Sequence, residues 1–179
     1  MNMLGLRLAL AALVVGTTLS GCTFFAPFTT CEGTDSAVAE LDRLPVLNLR
    51  PPQASPAGDG KADGAACHED SGDAWLSANR LYTYDGSRAE LLEYYGREAP
   101  AAGWRPIQRL DTGPDGQISV FCFESREQPS ITLAFESREH LRELYGIEPG
   151  PDPMGPGSRI WFSLSAEAAS DGSRMGCFG

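Results

Sequence analysis

The chain has 179 residues, with 24 acidic and 14 basic side chains and a formal net charge of -10. That balance argues against nucleic acid and against a basic surface that clings to anionic lipid. The length suits one domain with an appended segment, which disfavours the two-lobed body usual for a transporter's solute receptor.

Arg7 is the only charge before an apolar run from Leu8 to Leu19. A basic start, an apolar middle and small residues near its end make a secretory signal. The run is too short to cross a bilayer comfortably. It closes on Leu19-Ser20-Gly21-Cys22, which resembles the lipobox of bacterial lipoproteins. The resemblance implies a diacylglyceryl thioether on Cys22, removal of residues 1–21 and a place on the extracytoplasmic face of the cell membrane. Two acyl chains hold a protein firmly where one holds it only marginally. Lys61 is the only lysine, and Ala, Gly and Pro are abundant. That bias suits a GC-rich genome, an actinobacterium being the natural source.

Four cysteines follow Cys22: Cys31, Cys67, Cys122 and Cys177. An even number in an exported chain points to two disulfides. Sequence does not choose among the three pairings. The expected one joins Cys67 to Cys122 inside the domain and Cys31 to Cys177 across its ends.

Residues 23–30 read as a tether carrying Phe24, Phe25 and Phe28. Residues 34–44 space Val38, Leu41 and Leu44 for a short helix that Pro45 stops. Residues 46–49 suggest a strand, and 50–66, rich in Pro, Gly, Ala and Asp, a linker. Whether 34–50 belongs to the folded domain is open. Residues 75–84 suit a strand, followed by an Asp85-Gly86 turn. Ser87 and Glu90 form a capping box, and Leu91, Leu92, Tyr95 and Ala99 follow at helical spacing. The main helix is therefore predicted over 88–101. Strands follow at 104–110, with Pro106 at an edge or start, and at 117–124. Ile131, Leu133 and Phe135 then alternate with Thr132, Ala134 and Glu136, and Ile160, Phe162 and Leu164 with Arg159, Trp161 and Ser163. Between these two strands lie a short helix, 138–145, capped by Ser137 and stopped by Gly146, and a Pro-rich loop. Residues 166–179 form a tail.

These elements predict an α+β domain: one main helix on a mostly antiparallel sheet, with a second short helix. Leu91, Leu92, Tyr95 and Ala99 should face Ile131, Leu133, Phe135, Ile160, Phe162 and Leu164. The domain organisation is a leader at 1–21, a lipidated, partly ordered tether and linker at 22–66, and the domain at 67–179. Residues 67–136 also resemble a group of small actinobacterial lipoproteins. The resemblance is carried by Cys67 near Ser71-Gly72-Asp73, Tyr94-Tyr95, Ala102-Gly103-Trp104 and Val120-Phe121-Cys122-Phe123. It implies a fold and a location, not an activity, and it marks 138–157 as an insertion.

No nucleophile elbow, zinc-helix motif or phosphate loop is present, so no catalytic residue is assigned. Cys67-His68-Glu69-Asp70-Ser71-Gly72-Asp73 is the densest polar cluster and reads as a solvated loop. Asp59-Gly60-Lys61-Ala62-Asp63-Gly64 departs from a calcium loop at Lys61 and lacks the closing Glu. No metal or cofactor is expected. His140 is placed on a helix surface and Trp104 in the core; Tyr82, Tyr84, Tyr94, Tyr95 and Trp161 suit core packing better than a pocket. The leading expectation is a non-enzymatic module that binds a protein, a wall component or a small ligand on an exposed sheet face. The alternative is a lipid-anchored hydrolase using the cluster around His68. A pocket where His68 meets two acids points to the enzyme; an apolar groove without titratable groups points to binding.

Overall fold

The structure, a computed structural model, describes residues 29–57, 62–107, 111–112, 118–150 and 159–177. The leader, Cys22, the three tether phenylalanines and Lys61 lie outside the described residues. In chain order the elements are α1 (Asp35–Asp42), a 3-10 turn (Pro45–Asn48), β1 (Ser55–Pro56), β2 (Gly64–Asp70) and β3 (Asp73–Tyr84). Then come α2 (Arg88–Ala101), β4 (Trp104–Pro106), β5 (Asp111–Thr112), β6 (Ile118–Ser125), β7 (Ser130–Phe135), α3 (Arg138–Tyr145) and β8 (Ile160–Ala169). One sheet runs in the order β1-β3-β8-β7-β6-β4. β2 lies beside β1 along β3, β5 beside β4 along β6, and every pair is antiparallel. The fold is α+β. The described residues form three α-helices where the fold assignment counted one main and one short helix; the third is α1, the short helix expected over 34–44.

β3 and β8 are the spine of the sheet, paired from Trp75–Ala169 to Tyr84–Ile160. Side chains alternate across a strand, so each contributes to two faces. The first face carries Leu76, Ala78, Tyr82, Phe162, Leu164, Ala166, Ile131, Leu133, Phe135 and Phe123, all buried in one core. α2 docks here through Leu91, Tyr95 and Ala99. Ser87 Oγ accepts from Glu90 N–H while the Glu90 carboxyl accepts from Ser87 N–H, so the capping box is complete. The expected facing surface is there, with two corrections. Leu92 and Ile160 are only partly buried at its margin, because the helix turns Leu91 rather than Leu92 onto the sheet.

The core also takes in Leu41 of α1, Val46 and Leu47 of the 3-10 turn, and Ala54. Folded structure thus begins well before residue 67. The expected strand at 46–49 is instead a 3-10 turn, and three tyrosines hold one carbonyl within it and two just after it. Tyr82 OH donates to Leu47 O, Tyr95 OH to Leu49 O and Tyr94 OH to Arg50 O, each at 2.7 Å. Those donors lie 35 to 46 residues away, beyond any local pattern. Part of the expected linker is likewise strand, in β1 and the start of β2. Trp104 is core, 2% exposed, with Nε1 donating to Pro129 O.

The cysteines pair as Cys31–Cys67 and Cys122–Cys177, with Cα separations of 5.6 and 5.9 Å. The expected pairing is wrong for a geometric reason. Cys67 is opposite Leu76 and so lies on the first face, whereas Cys122 is opposite Thr132 on the second. β3, β8 and β7 also stand between them. Four strand spacings come to about 19 Å, well beyond disulfide reach.

Candidate functional site

The second face is built from the other half of the same alternation: Trp75, Ser77, Asn79 and Leu81 of β3, Trp161, Ser163, Ser165 and Glu167 of β8, and Thr132 and Ala134 of β7. α3 covers only one corner of it. Leu141 docks there on Leu81 and Ala57, with Tyr145, Ile147 and Trp161 around them. Ser137 Oγ accepts from His140 N–H at the helix start. Gly146 ends the helix with φ of 61°, in the left-handed region that glycine enters without penalty. The rest of the face is open. Beside α3 lies a cleft of about 600 Å³ with a floor of Ser77, Asn79, Ala134, Ser163 and Ser165. β2 forms one wall, with Asp63, Ala66 and His68; α3 forms the other, with His140, Leu144 and Tyr145.

Glu136 sits at the foot of the α3 wall. Its side chain is 2% exposed, against 50% for His140. Oε1 accepts from Ser163 Oγ at 2.6 Å, and Oε2 lies 2.5 Å from His140 Nδ1. The Tyr145 hydroxyl comes to 3.5 Å of Oε1 and accepts from Asn79 Nδ2 at 3.4 Å. A buried carboxyl is costly unless it is hydrogen-bonded, and here it is bonded on both oxygens. Burial, and then the neighbouring Glu136, push the Tyr145 hydroxyl above its ordinary pKa. It therefore stays protonated and able to donate.

The polar cluster at 67–73 is a hairpin, not a solvated loop. Asp70 pairs with Asp73 around Ser71-Gly72, whose φ values of 53° and 90° match the primed turns that suit strand twist. Only one side chain of the cluster enters the cleft. His68 stacks on Trp75, ring centroids 5.4 Å apart, and its Nε2 lies 2.7 Å from Ser77 Oγ. Glu69 is turned the other way, its carboxyl accepting from Cys31 N–H. Two acids do not converge on His68. β3 and β8 separate it from β7 and Glu136, about 14 Å across at the usual strand spacing. Nor is the cleft apolar. It holds Asp63, Glu136 and Glu167 with two imidazoles, and no Lys or Arg among its described lining. The cleft is thus neither a site where His68 meets two acids nor an apolar groove.

Sequence reasoning placed His140 on a helix surface and missed its pairing with Glu136. The i to i+4 spacing is visible in the sequence, but Glu136 belongs to the strand end and only the Ser137 turn brings the two together. No group of three or more His, Cys, Asp or Glu among the described residues is placed to hold a metal ion. A second depression, around Arg50, Tyr94, Glu90 and Arg97, is lined by groups the fold already uses. Glu90 caps α2, Arg97 pairs with Glu98 at 2.8 Å, and Arg50 lies over the Tyr82 ring. No protein-family model, curated protein or solved structure matches the chain.

Proposed function

We propose that this chain is a lipoprotein, held on the extracytoplasmic face of the cell membrane through Cys22, whose domain binds a polyhydroxylated ligand in the cleft. A fragment of wall glycan has the fitting chemistry. The lipobox residues Leu19-Ser20-Gly21-Cys22 support the anchor. The carrying observation for binding is the make-up of the cleft: serine hydroxyls and the Asn79 amide on the floor, carboxyls and imidazoles on the walls, and no cation in its described lining. Such a surface offers donors and acceptors to hydroxyl groups and opposes a phosphate or carboxylate ligand. Leu144, 63% exposed at the lip, supplies apolar contact for sugar rings. The test is calorimetric titration of the intact chain with soluble, uncharged oligomers of N-acetylglucosamine, the neutral sugar of wall glycan. Saturable binding is expected, abolished by Ser165→Leu, which plants an apolar side chain on the floor. No binding, or equal binding by that variant, rejects the assignment. For the anchor, Cys22→Ser should release the protein from membranes.

A lipid-anchored hydrolase remains the second reading. One observation favours it: the Ser77 Oγ to His68 Nε2 distance of 2.7 Å, the spacing of a nucleophile and its base. No carboxyl among the described residues orients His68 from behind, and Glu136 orients His140 instead. Turnover of a chromogenic ester that vanishes in both Ser77→Ala and His68→Ala would establish this reading.

A further inference from the structure

The chain enters the domain at one end of the sheet and is fixed there. Thr29 N–H donates to Gly72 O at 3.2 Å. Its Oγ1 accepts from Ala74 N–H at 2.7 Å and donates to Asp73 Oδ1 at 3.4 Å. Two residues on, Cys31 is bonded to Cys67, and its N–H donates to the Glu69 carboxyl at 2.5 Å. A disulfide and four hydrogen bonds thus tie residues 29–31 to the β2–β3 hairpin. Cys22 lies seven positions before Thr29. A chain spans at most about 3.6 Å per residue, so the hairpin can stand no more than about 25 Å from the anchored sulfur.

The far end of the sheet is as distant again. Trp75 is opposite Ala169, beside the hairpin, while Trp161 is opposite Thr83, beside α3. Both lie on the second face. The eight residue steps of β8 from Trp161 to Ala169 cover about 26 Å. Resting on the reading that Cys22 carries the lipid, we propose that the hairpin end, residues 69–73, is the surface this domain turns to the bilayer. The cleft then lies on the flank of the domain, with its His68 end near the membrane and its α3 end away from it. Glu69, Asp70 and Asp73 make that end acidic, so the partner it fits is a zwitterionic lipid surface rather than an anionic one.

The test uses the full lipidated chain, reconstituted into phosphatidylcholine vesicles that contain a dansyl-headgroup lipid. Two forms each keep one second-face tryptophan, W104F/W161F for Trp75 and W104F/W75F for Trp161, with folding checked by circular dichroism. Energy transfer to the headgroups should be several-fold stronger from Trp75. A flexible ten-residue spacer inserted before Thr29 should weaken it. As a measurement that leaves all tryptophans in place, a nitroxide on Ser71→Cys should be broadened by paramagnetic headgroups more than one on Glu143→Cys. Protein that fails to float with the vesicles refutes the lipid anchor and this orientation with it. Floating protein with equal or reversed transfer, or with equal broadening, refutes the orientation alone.

Discussion

The two faces of this sheet come from the same strands and do opposite work. On the first, Leu76, Tyr82, Phe162 and Leu164 meet α1, the 3-10 turn and α2 in a continuous core. On the second, one residue over, Ser77, Asn79, Ser163 and Ser165 form the floor of a cleft walled by β2 and α3. Period-two alternation makes this separation available to any strand. Here it gathers the larger core on one side; the other keeps a small core under α3, around Leu81 and Leu141, and leaves Ser77, Asn79 and Ser165 partly exposed. Substitutions on the two faces should therefore separate into those that unfold the protein and those that disturb only what it binds.

The largest effect is expected for Phe162→Ala, fully buried between Tyr82 and Tyr95. It should cost about 3–5 kcal/mol in denaturant unfolding with the disulfides intact. A cost below 1 kcal/mol would mean that the first face is not the core. Removing the Cys31–Cys67 bond with the double substitution to Ala should cost about 2–4 kcal/mol. It should also loosen residues 29–31, read as faster amide exchange there. Protection unchanged from the parent would mean that the Thr29 contacts suffice without the bond.

Tyr95→Phe should cost about 1 kcal/mol, because it leaves Leu49 O without its donor. Burial raises the Tyr95 hydroxyl above its ordinary pKa of 10.0. The folded state therefore holds that proton more tightly than the unfolded chain does. This contribution is fully present below pH 10 and is lost as pH rises above it. The Phe variant should show a shallower alkaline loss of stability than the parent. Equal slopes would place the alkaline transition elsewhere, with Tyr82, Tyr84, Tyr94 and Tyr145, also raised by burial, as the remaining tyrosines. The smallest effect is expected for Ser165→Ala, within about 0.5 kcal/mol in stability while weakening glycan binding. A large stability loss there would erase the contrast between the faces.

Local patterns carried much of the fold. The capping box at Ser87 and Glu90 placed α2 at its observed bounds, and the alternation of Ile131, Leu133 and Phe135 named the buried face of β7. What stayed hidden depended on partners distant in sequence. The 3-10 turn and the residues after it are held by tyrosine hydroxyls on β3 and α2, and the disulfide pairing follows from strand order and facing. The cleft was harder still. Serines at 77, 163 and 165 read as ordinary polar positions until the register sets them side by side. His68 was singled out, but with the wrong neighbours. Its partner is Ser77, while the buried carboxyl serves His140.

The central claim is that the second-face cleft is where this protein meets its ligand. The most direct test is a two-dimensional amide NMR titration of the protein with soluble, uncharged oligomers of N-acetylglucosamine. The account expects progressive shifts concentrated at Ser77, Asn79, Ser163, Ser165 and His140, with α2 unmoved. Shifts centred on α2 and Arg50, or none at saturating ligand, would contradict it.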